Sequence, residues 1–236
     1  MMQEKIETAV ILVGGEGLRL KPITNDRPKP MVEILGKPLL LYTLEWLKKY
    51  GIKRIVFGVA YKKEIVMDFF GDGSKFGIKI DYSNHTVEGG TAEGFHLAIE
   101  RFVDDENFLA MNGDELTNLN LNKLAEFHLK NNSFATVVMS PLKSPFGVIN
   151  VDKDDFIISF IEKPIFDNLL VSTGIYMFNK KILDHIPEKG SIERSTFSIL
   201  ANNKKLKGYR IDGDWITINN IKDLQNAESI LSGWFK

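Results

Sequence analysis

The stretch GGEGLRLKPITNDRPKPM, Gly14 to Met31, holds residue types and spacing suited to phosphate chemistry. Gly14, Gly15 and Gly17 let an anion approach the backbone closely, because no Cβ intervenes. Consecutive free N–H groups in such a turn form an anion-binding nest. Arg19, Lys21, Arg27 and Lys29 then bring four cations into a short span. Glycines to cradle and cations to neutralise point to a polyphosphate site. Two better-known glycine motifs are excluded. No G-x-x-x-x-G-K-[ST] run follows these glycines, and Leu20 stands where a dinucleotide fingerprint needs its third glycine. A surface turn with solvated lysines would account for the glycines alone. It does not account for Arg19, the prolines and Lys29 together.

A second chemical position is Asp114, in Asn112-Gly113-Asp114. It follows an apolar run that reads as a buried strand, and open α/β sheets place ligands at strand ends. Taken alone, the residue is equally well a turn-forming Asp or a ligand-holding one.

The elements that must position these groups follow from periodicity. Thr8 to Val13 reads as a strand that delivers the glycines to the carboxyl end of a sheet. Pro22, Pro28 and Pro30 rule out a continuous helix through the basic segment, which reads as a long ordered loop. Pro38 near the first helical position, the stripe Leu40, Leu44 and Leu47, and Gly51 beyond the last turn mark a helix. Further strands are expected over Arg54–Ala60, Ile78–Tyr82, Asn107–Met111 and Ala135–Met139. Helices are expected over Lys63–Phe70, Thr91–Phe102 and Leu121–Lys130. From Gly147 the pattern changes to short strands, with helices near Ser195–Asn202 and Lys222–Leu231. This alternation predicts an α/β sandwich around a largely parallel, helix-flanked sheet.

Composition sets bounds on this reading. With 236 residues, 44% of them hydrophobic and 26% charged, the chain can bury a substantial core. A net charge of −1 gives no surface for nucleic acid or membrane lipid, so the local basic cluster matters more than the total. There is no cysteine, which excludes disulfides and thiol chemistry. Met1 to Glu7 is polar, and the first apolar run is too short for a signal peptide or a membrane span, so a cytoplasmic location is expected.

The whole pattern resembles the sugar-1-phosphate nucleotidyltransferases, or NDP-sugar pyrophosphorylases. Their signature G-G-x-G-T-R-L-x-P-x-T, then R-P-K-P, is matched by Gly14, Gly15, Gly17, Arg19, Leu20, Pro22, Thr24 and Arg27 to Pro30, with Leu18 in place of threonine. The resemblance runs from Ala9 to about Ala227. It implies a Rossmann-like three-layer sandwich with a mostly parallel mixed sheet, of the GT-A-like type. One nucleotidyltransferase domain over 1–236 is expected, with a nucleotide-binding part to about 140 and a sugar-phosphate-binding part from about 141. The left-handed β-helix of many longer relatives is not expected.

The resemblance also implies roles for single residues. Arg19 and Lys29 become the catalytic cations. Val13, Gly14, Gly15 and Gly17 would hold the nucleotide. Glu88 to Gly94 resembles the L-G-T-A-G loop that approaches the nucleobase, which brings in Gly90 and Thr91. His85 stands where relatives carry a base-reading Gln or Glu, although a partly exposed loop histidine would look the same. Phe146-Gly147-Val148, Glu162-Lys163-Pro164 and Ser172-Thr173-Gly174-Ile175-Tyr176 resemble segments around the sugar phosphate. They supply Gly147, Glu162, Lys163, Ser172 and Thr173, and Glu193 matches a sugar-binding glutamate. Asp114 would hold Mg²⁺. The family's second metal-binding aspartate is replaced by Thr217 in Trp215-Ile216-Thr217-Ile218-Asn219. Asn219 shares a strand face with Thr217, and a branch of the family uses asparagine in a similar run, so Asn219 becomes the second Mg²⁺ ligand. A turn into the last helix would equally explain these asparagines.

The implied reaction joins a nucleoside triphosphate to a sugar 1-phosphate and releases pyrophosphate. Length and the R-P-K-P-M run look most like mannose- or heptose-1-phosphate guanylyltransferases. Glucose-1-phosphate uridylyl- or thymidylyltransferase is the alternative. A non-catalytic sugar-nucleotide-binding regulatory subunit is the alternative from another class. The expected partners are the two substrates, without nucleic acid or membrane and with room for a homo-oligomer.

Overall fold

The computed structural model describes residues 5–234. Met1 to Glu4, where the polar N-terminal segment starts, and residues 235–236 lie outside them. The first half alternates strand and helix as its apolar periodicity predicts. β1 (Thr8–Leu12) leads into the basic loop, and the two-residue strands β2 (Glu33–Ile34) and β3 (Lys37–Pro38) follow. Then come α1 (Leu39–Lys49), β4 (Arg54–Val59), α2 (Lys63–Phe70), β5 (Lys79–Asn84), α3 (Gly90–Phe102), β6 (Asn107–Asn112), β7 (Glu115–Thr117) and α4 (Leu121–Asn131). The second half contains β8 (Ala135–Lys143), β9 (Val148–Val151), β10 (Ile157–Ile161), β11 (Ile165–Asn179), α5 (Thr196–Asn202), β12 (Leu206–Arg210), β13 (Trp215–Thr217) and α6 (Ile221–Trp234).

Seven strands form the central sheet in the order β12-β8-β11-β6-β1-β4-β5. β1 pairs in parallel with β4 on one side and with β6 on the other, and only β11 runs antiparallel to its neighbours. The chain therefore leaves β1 in one direction to β4 and β5 and returns on its other side as β6. That reversal opens a crevice outside the carboxyl ends of β1 and β6, where open α/β sheets bind ligands. The register aligns Leu12 with Asn112, so both carboxyl ends stop at the same height.

The sheet is covered on both faces. Period-two alternation sends Ala9 and Ile11 of β1 into a core with Leu40, Leu44 and Leu47 of α1, Val66 and Phe70 of α2, and Leu124 of α4. Val10 points the other way, to Ala92, Phe95 and Ile99 of α3 and Leu200 of α5. This is the three-layer arrangement expected. A third cluster gathers Leu20, Val32 and Ile34 with Leu116, Ile216, Ile218 and Ala227, and so seats the basic loop on β7, β13 and α6.

Pro38 stands next to the first helical position, as expected: it ends β3 immediately before α1, and the Leu39 N–H donates to the Val32 carbonyl at 3.0 Å. Two expectations need correction. The strand expected over Ala135–Met139 continues to Lys143. The short strands expected after Gly147 include one of 15 residues, β11. Gly174 in its middle resembles a strand terminator, but its φ of +73° accommodates a register shift between Ser172 and Tyr176 and the strand resumes. The apolar run Phe156–Ile161 pairs only with β9, in a two-stranded ribbon, and leaves Phe156 and Phe160 70% and 61% exposed. Among the described residues no helix is long and apolar enough to cross a membrane.

One polar group in the core gives the fold a pH dependence. His128 on α4 is buried, with Nε2 donating to the Asn107 side-chain oxygen Oδ1 at 3.2 Å and Nδ1 facing the Thr136 hydroxyl at 2.8 Å. Burial pushes its imidazole down from 6.5 to about 4. The folded chain then binds fewer protons than the unfolded one. The His128 contribution is intact above the unfolded value and is lost as pH falls toward the folded value. Unfolding is expected to become easier by up to about 3 kcal/mol across that window. Denaturant unfolding of the His128→Gln variant at pH 7 and 4.5 should show a smaller pH difference than the parent. An equal difference would remove His128 from this role.

Candidate active site

The crevice at the β1–β6 switch point contains a cavity of about 250 Å³. Gly14, Gly15 and Lys29 line it from the basic loop, His85, Gly90 and Thr91 from the segment entering α3, and Asn112 and Asp114 from the end of β6. Five of the seven expected nucleotide-binding residues thus face one space. Val13 is buried beneath it in the core, its N–H bonded to the Gly58 carbonyl at 2.8 Å. Gly17 lies behind Lys29, where an added Cβ would come within 2.9 Å of the lysine Cβ.

The basic segment is an ordered loop with two single 3₁₀ turns, Leu18–Leu20 and Lys29–Met31. Fully buried Leu20 and Thr24 hold it in place, and the Thr24 hydroxyl donates to the Gly17 carbonyl at 2.9 Å. The loop divides its cations. Lys29 is 8% exposed and its ammonium pairs tightly with the Asp114 carboxylate. Arg19 donates to Asn219 Oδ1 at 2.8 Å, and Lys29 reaches the same oxygen at 3.5 Å. Arg27 instead faces Asp26 and Glu33, at 3.1 and 3.7 Å. Side chains 85 and 190 positions apart therefore meet around one ammonium.

That arrangement fits a hard divalent cation. A carboxylate oxygen and an amide oxygen from separate elements already surround a single positive charge, and magnesium takes oxygen donors with only one or two from protein carboxylates. Among the described residues no group of three or more His, Cys, Asp or Glu side chains forms a ready-made metal cage.

Beside Asp114 lies a residue that sequence reasoning passed over. Glu115 is 7% exposed. It accepts from Trp215 Nε1 at 2.7 Å and from the Thr217 hydroxyl at 3.2 Å. Burial first, and then the charge of Asp114, raise its carboxyl to about 8, and the Trp215 hydrogen bond only partly offsets this. The available signal was a second carboxylate immediately after Asp114. Glu93 was likewise passed over. Its carboxylate accepts from the Thr86 N–H and hydroxyl at 2.6 and 2.7 Å, which lowers its own pKa and closes the loop that carries His85.

His85 Nδ1 faces the Thr86 carbonyl at 2.9 Å, and a carbonyl only accepts, so Nδ1 carries the proton. Nε2 is buried against Gly14 without a hydrogen-bond partner among the described residues, and an added Cβ on Gly14 would come within 2.8 Å of it. Gly90 has φ +65°, and an added Cβ would lie 2.4 Å from the Gly190 carbonyl oxygen. That carbonyl accepts from the Ala92 N–H at 2.9 Å and ties the start of α3 to the loop before Glu193.

The expected sugar-phosphate residues divide into three groups. Glu193 is joined to the cavity wall through the Thr91 hydroxyl, which donates to its carboxylate at 3.1 Å, and is held within its own loop by Ser191 Oγ at 2.6 Å. Gly147, Glu162 and Lys163 cluster on the β9–β10 ribbon. An added Cβ on Gly147 would meet the Phe160 ring at 2.7 Å and Glu162 Oε2 at 3.1 Å, and Lys163 pairs with Glu162 at 3.3 Å. On β11, Ser172 is exposed, whereas Thr173 is turned into the core and donates to the Val138 carbonyl at 3.0 Å. None of these six residues lines the 250 Å³ cavity.

Known proteins are similar to this chain in sequence and in shape. A mannose-1-phosphate guanylyltransferase catalytic subunit beta from Dictyostelium discoideum is 34% identical over 91% of this chain and 62% of its own length. A mannose-1-phosphate guanyltransferase from Yarrowia lipolytica is 37% identical over 91% of this chain and 61% of its own. The chain thus spans about three fifths of the length of these relatives. The solved structure of HddC from Yersinia pseudotuberculosis, complexed with GMP-PN, superimposes with a TM-score of 0.73 at 27% identity, covering 96% of this chain and all of HddC. The sequence profile of the nucleotidyl transferases matches residues 8–232, through the glycine loop, the Asp114 strand end and the last helix, and the chain belongs to that family.

Proposed function

We propose that the protein is a Mg²⁺-dependent sugar-1-phosphate nucleotidyltransferase, most similar in kind to the enzymes that join GTP to mannose or heptose 1-phosphate. The observation that carries this reading is the convergence of Lys29, Arg19, Asp114 and Asn219 at the rim of the glycine-lined cavity. A module that only binds sugar nucleotides needs no such concentration of charge beside the phosphates. The guanylyl preference follows the relatives' activities. A polar site discriminates well between bases, but no single side chain here names the base.

The chemistry asks little of the protein in proton transfer. The acceptor phosphate oxygen is already anionic near neutral pH and attacks the α-phosphorus in line, so no general base is needed. The obstacles are repulsion between two polyanions and their alignment. Lys29 would sit at the α-phosphate and Arg19 at the departing pyrophosphate. Backbone N–H groups of Gly14 and Gly15 would hold the phosphates, with His85, Gly90 and Thr91 beside the base. Lys163, next to Glu162 and Gly147, would hold the acceptor phosphate, and Glu193 with Ser172 would contact the sugar. Asp114 and Asn219 are the residues that would hold Mg²⁺, which when bound offsets phosphate charge. In this reading residues to about 140 serve the nucleotide and those from about 141 serve the sugar phosphate, within one domain.

Pyrophosphate release should be measured with Mg²⁺ across GTP, UTP, dTTP, ATP and CTP, each against mannose, heptose, glucose and N-acetylglucosamine 1-phosphate. Turnover greatest with GTP and mannose or heptose 1-phosphate is expected. Greatest turnover with UTP or dTTP and glucose 1-phosphate would move the assignment to that branch. Binding without turnover anywhere in the panel would overturn catalysis.

A further inference from the structure

Glu115 has no part in the site as the family resemblance describes it, yet it sits at that site's edge. β7 and β13 are antiparallel, and their register places Glu115 directly opposite Thr217. Directly opposed residues share a face with their Cβ atoms about 5 Å apart. Thr217 is the position where the resemblance expects a metal-binding aspartate. The Glu115 carboxylate reaches across the strand pair to that position, with Oε1 3.2 Å from the Thr217 hydroxyl. Asn219 Nδ2 donates to the same hydroxyl at 3.2 Å. Glu115, Thr217 and Asn219 therefore stand in one hydrogen-bonded row, and Lys29 links the Asn219 end to Asp114.

A structural role leaves the choice of a carboxyl unexplained. Trp215 Nε1 needs one acceptor and the Thr217 hydroxyl needs another, and a glutamine amide oxygen could serve the tryptophan equally well. A buried carboxyl beside Asp114 is costly unless a cation offsets it. The room is preserved on the other side as well, since an added Cβ on Gly174 would come within 3.3 Å of Glu115 Oε1.

We propose that Glu115 supplies the second carboxylate of the divalent-cation site, from the strand opposite the one where the family resemblance expects it. The carboxylate has changed strands and kept its place in the register. Thr217 provides the space that the longer glutamate side chain occupies. The cation then has Asp114, Glu115 and Asn219 as protein oxygen donors. This inference rests on the proposed nucleotidyl transfer only for the identity of the ion and its companion phosphates.

The test uses the full chain, with Mn²⁺ as the probe and pyrophosphate as the companion anion, and reads free Mn²⁺ by electron paramagnetic resonance. The parent is expected to bind Mn²⁺, and Glu115→Gln to bind it at least tenfold more weakly with an unchanged circular dichroism spectrum. The exchange variant E115T/T217D, which returns the carboxylate to the opposite strand, should recover affinity to within threefold of the parent. A loss below threefold in Glu115→Gln would overturn the proposal. So would a folded exchange variant no better than Glu115→Gln, or a parent that binds no Mn²⁺. Glu115-dependent Mn²⁺ binding without turnover on any substrate pair would sink the transferase reading and leave the cation site standing. Turnover with Mn²⁺ affinity indifferent to Glu115 would do the reverse.

Discussion

Replacing Lys29 with methionine should lower kcat for pyrophosphate release by about 10²–10³-fold, or ~3–4 kcal/mol of transition-state stabilisation. The residue is suited to so large an effect. Its stem is buried in a 3₁₀ turn and its ammonium lines the cavity. A charge fixed in a partly dry site stabilises developing phosphate charge without reorganising first. Methionine keeps the unbranched stem and its packing against Gly17. The cost to folding should be small, about 1 kcal/mol, because the Asp114 carboxylate left behind is 27% exposed and water can reach it. Arginine should rescue poorly, since a planar fork cannot replace a compact ammonium in that turn. Equal loss in kcat and kcat/KM would mark an interaction made only in the transition state. An unchanged kcat would remove Lys29 from the chemistry.

Asp114→Asn should be at least as severe, with kcat down by about 10³-fold or more and the Mg²⁺ concentration for half-maximal rate up at least tenfold. The second effect separates it from the lysine variant, which should leave the metal requirement nearly unchanged. The stability ranking should be reversed. Removing the carboxylate charge leaves the Lys29 ammonium, whose side chain is only 10% exposed, with neutral amide oxygens as acceptors, the introduced one and that of Asn219 at 3.5 Å. A loss of about 1–2 kcal/mol in folding is expected, larger than for Lys29→Met. Thermal melts of the two variants beside Mg²⁺ titrations of rate would check both points. An unaltered Mg²⁺ dependence in Asp114→Asn would take Asp114 out of the cation site.

Much of the fold was legible because its signals are local. The bounds of α2 come directly from the apolar spacing of Lys63–Phe70. The end of α1 follows from Lys48, Lys49 and Gly51, which has φ +85° beyond the last turn. The β9–β10 ribbon and β11 were less legible. Phe156–Ile161 has the composition of a buried strand, and only its pairing with a single neighbour leaves it open on both sides. Gly174 has the composition of a strand end, and only the cross-strand register shows it to be an irregularity inside one. Burial and pairing depend on partners that are distant in sequence, so no window of the chain contains them.

The candidate site divides along the same line. The sequence by itself determined the chemistry available: glycines and cations for phosphate, a carboxylate at a strand end, and a threonine where an aspartate was expected, with an asparagine two positions on. Those are properties of residue type and short spacing. Only the tertiary structure decided which of them meet. It turned Arg27 toward Asp26 and Glu33, drew Lys29 onto Asp114, and buried the Thr173 side chain against the Val138 carbonyl. It also set Glu115 opposite Thr217. The physical reason is that a register between strands about a hundred residues apart is chosen by the packing of Leu116 and Ile216 into their shared core, and the polar faces of both strands are carried along with it.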